Sequence, residues 1–442
     1  MTPRNNASLS TALLAAALVI SLPATSYGFA EFARGGITLE TDARVTYDSF
    51  IIGAPKYGDD DYYARLHPEL KYERKAGLAN ISAFAGLSVI RYQTYDQWDS
   101  EDFSAGLSTE LPVAEGSRIS GDFNINYTEA TVIDYNVLDR IRQKTFRADA
   151  NFHYQLGLKT SLRDSVDYTD VQRGSQYSNQ RTLGNNLSFA YSDFLDGTSF
   201  RLTHGFVRTT SSGDNFLGHG LDQTSNSVSA GLSRPVIGPL VGDASYGYRW
   251  LDRSNQENLI GQGKINGSFF SVSVRGPFLP PRMFPKMDSN ISVTYSNSRS
   301  PGINDLGNKT LTGAMSVGWQ ARERTHLSLS AERTVNLSAN DLSVQTTRAT
   351  FGINQSVSYN ISLHGDVSYV QRKFTNLERT DGTWEAAASG NYTLNKYWNA
   401  GVAYTYQNNT TDGDTISGIN VWRMRAYDYE RHTVSIYVKN VF

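Results

Sequence analysis

Between residues 37 and 47 the chain alternates Ile37, Leu39, Thr41, Ala43, Val45 and Tyr47 with Thr38, Glu40, Asp42, Arg44 and Thr46. This period of two is the tightest constraint on the fold, because successive side chains of a β-strand point to opposite faces. The spacing recurs to the end of the chain, as in Ala79, Ile81, Ala83, Ala85, Leu87 and Val89, then Phe146, Ala148, Ala150, Phe152 and Tyr154. No apolar run of ~18 residues follows residue 30, so no transmembrane helix is expected. A transmembrane strand needs only about 9 to 11 alternating residues and keeps a low average hydropathy.

A soluble fold would have to cover every one of these apolar faces, and the sequence supplies no amphipathic helices to do so. The pattern therefore predicts an all-β chain, a single antiparallel up-and-down transmembrane β-barrel of about 20 strands. Eighteen stays open as an alternative, because the strands around Val228–Leu232, Phe270–Val274 and Ala349–Ile353 are weakly patterned. Short links are expected near 74–77, 112–116, 155–157, 194–197, 321–324 and 395–398, and long polar ones near 49–61, 209–222, 296–308 and 408–430. Such barrels have short periplasmic turns and longer outside loops, which puts both termini in the periplasm. Tyr47, Tyr72, Tyr127, Tyr154, Tyr168, Tyr248, Trp250, Trp319, Trp384 and Tyr404 fall near the ends of the apolar faces and read as two aromatic girdles. Asp164 and His204 fall on the expected lipid face, and a bulge near each would restore the phase.

Residues 1–30 read as a secretory signal: Arg4, an apolar run from Thr11 to Leu22, Pro23 and small residues, with cleavage after Gly28 or Ala30. The barrel then occupies residues 31–442. Without Arg4 the mature chain carries 40 basic residues (41 less one) against 43 acidic ones, a balance that gives no support to nucleic-acid binding. The absence of cysteine excludes disulfides and thiolate metal sites.

The inward faces mix charges. Candidate pore-lining residues are Arg44, Arg65, Lys71, Arg118, Arg147, Arg163, Arg201 and Arg249 with Glu40, Asp42, Glu69, Asp149 and Asp243. Paired across strands they hydrate a lumen. Unpaired, the arginines form a ladder for an anionic solute, because guanidinium groups bind carboxylates bidentately. The seven histidines are scattered, with no His-Glu-x-x-His grouping, phosphate loop or serine elbow. Asp59-Asp60-Asp61 and Asp412-Gly413-Asp414 lack the full ligand spacing of a calcium loop and read as solvated acidic loops. No catalytic residue, metal or cofactor is assigned.

The last stave places Val434, Ile436, Val438 and terminal Phe442 on one face. It resembles the signal read by the outer-membrane assembly machinery, with Asn440 as a polar departure. The segments Ala43-Arg44-Val45-Thr46-Tyr47-Asp48-Ser49, Arg65-Leu66-His67-Pro68-Glu69-Leu70-Lys71-Tyr72 and Tyr429-Glu430-Arg431-His432-Thr433-Val434-Ser435-Ile436 resemble the putative β-barrel porins, which include barrels encoded in exopolysaccharide-biosynthesis operons. Phe50 replaces the Asn that often follows Tyr-Asp-Ser in that family. The resemblance implies a Gram-negative outer-membrane pore in contact with lipid, with a polysaccharide or periplasmic export components as partners. A hydrolase with a loop-rim site and a structural or adhesive barrel with an occluded lumen are the competing readings.

Overall fold

The computed structural model describes residues 30–51, 59–76, 79–111, 117–134, 139–174, 177–212, 222–254, 263–279, 283–284, 286–299, 308–337, 343–374, 379–412 and 428–441. The expected signal segment, residues 1–29, and Phe442 lie outside them.

A three-residue strand β1 (Ala30–Phe32) pairs with the start of β2 (Gly35–Asp48). Nineteen further staves follow in sequence order: β3 (Asp61–Ala76), β4 (Ala79–Tyr92), β5 (Ser100–Leu111), β6 (Ile119–Asp134), β7 (Asp139–Gln155), β8 (Thr160–Arg173), β9 (Asn179–Leu195), β10 (Thr198–Ser212), β11 (Asp222–Ile237), β12 (Leu240–Ser254), β13 (Gly263–Arg275), β14 (Met287–Arg299), β15 (Asn308–Arg322), β16 (Thr325–Leu337), β17 (Ser343–Ser356), β18 (Ile361–Phe374), β19 (Arg379–Thr393), β20 (Trp398–Asp412) and β21 (Tyr429–Val441). Each pairs antiparallel with the next, and β21 pairs back onto β2 from Glu40↔Val441 to Asp48↔Thr433. The result is a closed 20-stave barrel, with β1 extending the edge of β2 beyond the end of β21. Closure leaves no open edge, as backbone in lipid requires.

The three weakly patterned strands are full staves, β11, β13 and β17. Their outward residues are small or few, but neighbours on both sides fix their register. Turns at the end holding the termini are short, with two-residue links at Asp196-Gly197 and Glu323-Arg324. Gly197 sits at φ +65, where a side chain would be strained. Residues 276–286 form the longest link at this end. At the other end several strands outrun the expected loop boundaries: β10 continues to Ser212, β14 to Arg299 and β20 to Asp412. The longest expected loop is therefore partly strand, and its residues Trp422, Arg423, Arg425 and Tyr427 lie outside the described ones.

Leu158, whose spacing from Leu162, Val166 and Tyr168 reads as the lipid face of a strand, is a fully exposed turn residue, because β8 starts only at Thr160. The bulges expected at Asp164 and His204 do not occur, since pairing runs unbroken through both positions. Asp164 keeps its outward position by accepting a 2.8 Å hydrogen bond from the Asn185 amide on the next stave. That bond offsets part of the cost of a carboxylate beside lipid.

The inner face carries three aromatic residues directly opposite glycines: Phe84↔Gly106, Phe269↔Gly247 and Tyr437↔Gly401. A Cβ at any of these glycines would collide with the facing ring. The rings thus lie flat against the wall instead of projecting into the lumen, an arrangement known as aromatic rescue of glycine. Gly401→Ala is expected to destabilise the barrel by about 1–3 kcal/mol through overpacking, read as a lower urea midpoint of the refolded protein in micelles.

Candidate functional site

Large apolar side chains stay exposed on one face of most staves, as at Leu107, Phe123, Phe152, Leu202, Tyr246, Val293, Leu363, Val402 and Ile436. Such a belt is the lipid-facing surface, and the opposite face is the lumen wall. Val434 and Ile436 are exposed on this belt and Val438 is half-buried on it. Asn440 shares their face but is buried, and both its amide atoms lack a hydrogen-bond partner.

The register places the candidate lining residues of the staves on the lumen wall. Lys71 bridges Glu40 at 2.9 Å and Glu69 at 3.2 Å, and Lys439 meets Glu40 at 2.8 Å. Arg44 lies over the Tyr437 ring at 4.9 Å, Arg65 donates to Ser88 Oγ at 3.0 Å, and Arg249 lies over Phe269 at 5.5 Å. Asp243 accepts from Ser273 at 3.3 Å, and Asp42 lies opposite His67 and Lys439. Arg118 sits at the turn-end rim, where its carbonyl accepts from the Gln155 N–H.

On β5 to β10 the wall recedes into a recess of about 980 Å³, lined among others by Asp122, Asn124, Asn151, His153, Arg163 and Arg201. Its acceptors form a network: Asn124 donates to Asp122 at 3.1 Å and to Asp149 at 2.8 Å, and Asn151 donates to Asp122 at 2.9 Å. The cations stand apart from it. Arg163 donates to His153 Nδ1 at 3.1 Å, while Arg147 and Arg201 have no carboxylate within ion-pair distance among the described residues. All three guanidinium groups are exposed to the bore. Chemically, this wall offers amide and carboxylate groups for hydroxyls and free guanidinium groups for an anion.

The loop end of the lumen is built differently, because from β17 through the closing seam to β5 most of its inward side chains are buried. Asp48 and Arg431, on the two staves that close the barrel, form a bidentate pair at 2.6 and 2.8 Å, and Arg431 also reaches Gln407 at 3.3 Å. Thr46 and Ser435 bond across the same seam at 2.9 Å, and Phe50 stacks on Tyr429 at 5.1 Å. Farther round, Arg379 binds Asp381 and covers Phe374, and Arg372 donates to Thr383, which donates to Asn409. Between β4 and β7, Arg140 lies over Tyr92 and Trp98 at 5.2 and 5.1 Å. The sequence reading missed the seam of this layer because its partners are far apart in the chain.

The acidic loop is spent on local structure. Asp61 accepts from the backbone N–H groups of Tyr62, Thr94 and Tyr95, and Asp60 accepts from the Tyr47 hydroxyl at 3.1 Å. Tyr95 donates its hydroxyl to Asp59, and its pKa is pushed up to about 12, first by desolvation and then by that carboxylate. It therefore remains a donor at physiological pH. His364 is engaged at both ring nitrogens, with Asn354 at 2.8 Å and Asp366 at 3.1 Å. His219, Gly413 and Asp414 lie outside the described residues.

No curated protein matches the sequence. Solved structures with a similar fold include the ferric-catecholate import receptor Fiu from E. coli K12 in its open form, at 10% identity and TM-score 0.52 over 91% of this chain and 81% of that one. The siderophore receptor PiuA from Acinetobacter baumannii aligns at 8% identity and TM-score 0.52, covering 92% and 82% of the two chains. The FrpB iron transporter from Neisseria meningitidis aligns at 9% identity and TM-score 0.52, covering 94% and 82%. At such identities the likeness is one of fold. Over residues 290–427 the sequence matches the family described as putative beta-barrel porin 2, in agreement with the resemblance carried by its opening and closing motifs, and the protein is an outer-membrane-type β-barrel.

Proposed function

We propose that this barrel is a non-enzymatic, passive channel of the Gram-negative outer membrane, with its loops outside and both termini in the periplasm. It carries hydrophilic solutes with a preference for anions, and in its most specific form it lets a secreted polysaccharide pass. The observation that carries this reading is the set of bore-exposed arginines, Arg147, Arg163 and Arg201, held on β7, β8 and β10 without carboxylate partners. Porins of 16 to 18 strands already leave an aqueous channel, so 20 staves give ample width. In this reading lipid surrounds the barrel and the assembly machinery recognises β21. The polysaccharide and its periplasmic export components are the functional partners.

The buried layer at the loop end favours a second reading, a lumen occluded at that mouth. Single-channel conductance of the refolded protein in a planar bilayer separates the two. Stable steps blocked by an anionic oligosaccharide such as a polyuronate are the expected result. Correctly folded protein without conductance would establish the occluded barrel instead.

A further inference from the structure

Just beyond the loop-side aromatic girdle the outward face changes character abruptly. On adjacent staves the next outward residue after Tyr127 is Glu129, after Phe146 it is Lys144, after Tyr168 it is Asp170, and after Leu183 it is Arg181. These residues stand one step above the rings that mark the headgroup boundary. They lie on the lipid side of the wall, so the solute pathway does not account for them.

Their pairing is lopsided. Glu129 serves two cations, Lys144 at 3.1 Å and Arg142 at 3.5 Å, and Asp170 meets Arg181 at 3.3 Å. The carboxylates are largely covered, at 17% exposure for Glu129 and 14% for Asp170. The cations are not: Arg142 is 59% exposed, Lys144 51% and Arg181 64%. Three positive charges thus project from β7 and β9, with one recessed acid, Asp170 on β8, between them and the other, Glu129 on β6, beside them. Staves lie about 4.8 Å apart, so the cations form an arc about 10 Å wide.

Such an arc fits phosphate better than it fits its own carboxylates. Each cation is more than half exposed while the acids are largely covered, so a phosphate approaching in the plane of the leaflet meets cations before acids. Arginine adds bidentate geometry that a diffuse counter-ion layer would not use. We propose that Arg142, Lys144 and Arg181, backed by Glu129 and Asp170, form a binding site for the phosphate groups of a phosphorylated lipid headgroup in the loop-side leaflet. The site holds the barrel at a fixed depth and gives it a shell of preferred lipid. This inference is independent of what passes through the lumen.

The test uses the refolded full barrel in micelles, titrated with diphosphorylated lipid A, with its dephosphorylated form and with inorganic phosphate, binding being read by native mass spectrometry. The wild type is expected to hold the diphosphorylated lipid at least tenfold more tightly than the dephosphorylated one. R142Q/K144Q/R181Q should abolish that preference, while Lys159→Gln at the turn end should leave it intact. Heat-dependent gel mobility reports whether each variant has folded. If the triple variant does not fold, the wild-type comparison of the two lipids still decides the matter. Equal affinity for both lipids, or an unchanged preference in the folded triple variant, overturns the proposal. Displacement of the lipid by millimolar inorganic phosphate also overturns it, by showing a free-phosphate site.

Discussion

Asp48→Ala is expected to destabilise the barrel by about 3–5 kcal/mol, the cost of leaving one member of a buried ion pair alone. Asp48 is fully buried and Arg431 nearly so, and the bidentate pair joins the first full stave to the last. Without Asp48, Arg431 retains Gln407 at 3.3 Å but loses both charge-assisted bonds. Replacing both residues, as in Asp48→Leu with Arg431→Met, should cost much less than either single change, because no uncompensated charge then remains. The measurement is the urea midpoint of unfolding followed by tryptophan fluorescence. Arg181→Gln, which breaks an exposed pair with Asp170, provides the contrast and should stay within about 1 kcal/mol. A mild effect of Asp48→Ala would mean that water replaces the pair at the seam.

The second large effect concerns the bore. R147E/R163E/R201E changes the wall charge by six units on β7, β8 and β10 and should convert an anion-preferring pore into a cation-preferring one. The sign of the reversal potential across a potassium chloride gradient reports the change. Low salt is needed, because exposed charges are screened within about 10 Å at 0.1 M. Lys71→Gln should shift the potential far less, since Lys71 already shares its charge with Glu40 and Glu69. An unchanged sign in the triple variant would mean that the selective part of the pathway lies at the buried loop end.

The barrel was legible because its evidence is local. Alternation such as Ile37 to Tyr47 needs only neighbouring residues, and it recurs in stave after stave. Errors came where a local rule was pressed too far. Leu158 matches the parity of β8 but precedes its start, and the polar outward positions Asp164 and His204 invited bulges that the register does not contain. What sequence reading could not reach was pairing across distance. Arg431 and Asp48 are separated by 383 positions, and nothing in either neighbourhood marks the other as its partner. The glycines facing Phe84, Phe269 and Tyr437 are likewise meaningful only once the register is known. The arginine ladder was visible as a set of residue types. Which members are held and which are free depends on the register: Lys71 is paired with carboxylates and Arg44 and Arg249 lie over rings, contacts that Arg147 and Arg201 lack.

The seam between β2 and β21 also bears on the order of assembly. Every other junction in the wall joins sequence neighbours and can form as a hairpin while the rest of the chain is still arriving. This one joins residues such as Thr46 and Ser435, 389 positions apart, so it can zip only after the last stave is delivered. In a disordered chain, closing a loop of that length costs about 2 kcal/mol more than closing one of about 25 residues. A buried bidentate ion pair therefore lies where chain entropy opposes joining most. Until they form, two unpaired edges remain at opposite ends of a curled sheet, each a template for a foreign strand. Weakening the Asp48–Arg431 latch should accordingly lengthen the lifetime of that open form and raise the yield of edge-to-edge aggregates, while the hairpins themselves fold at their usual pace.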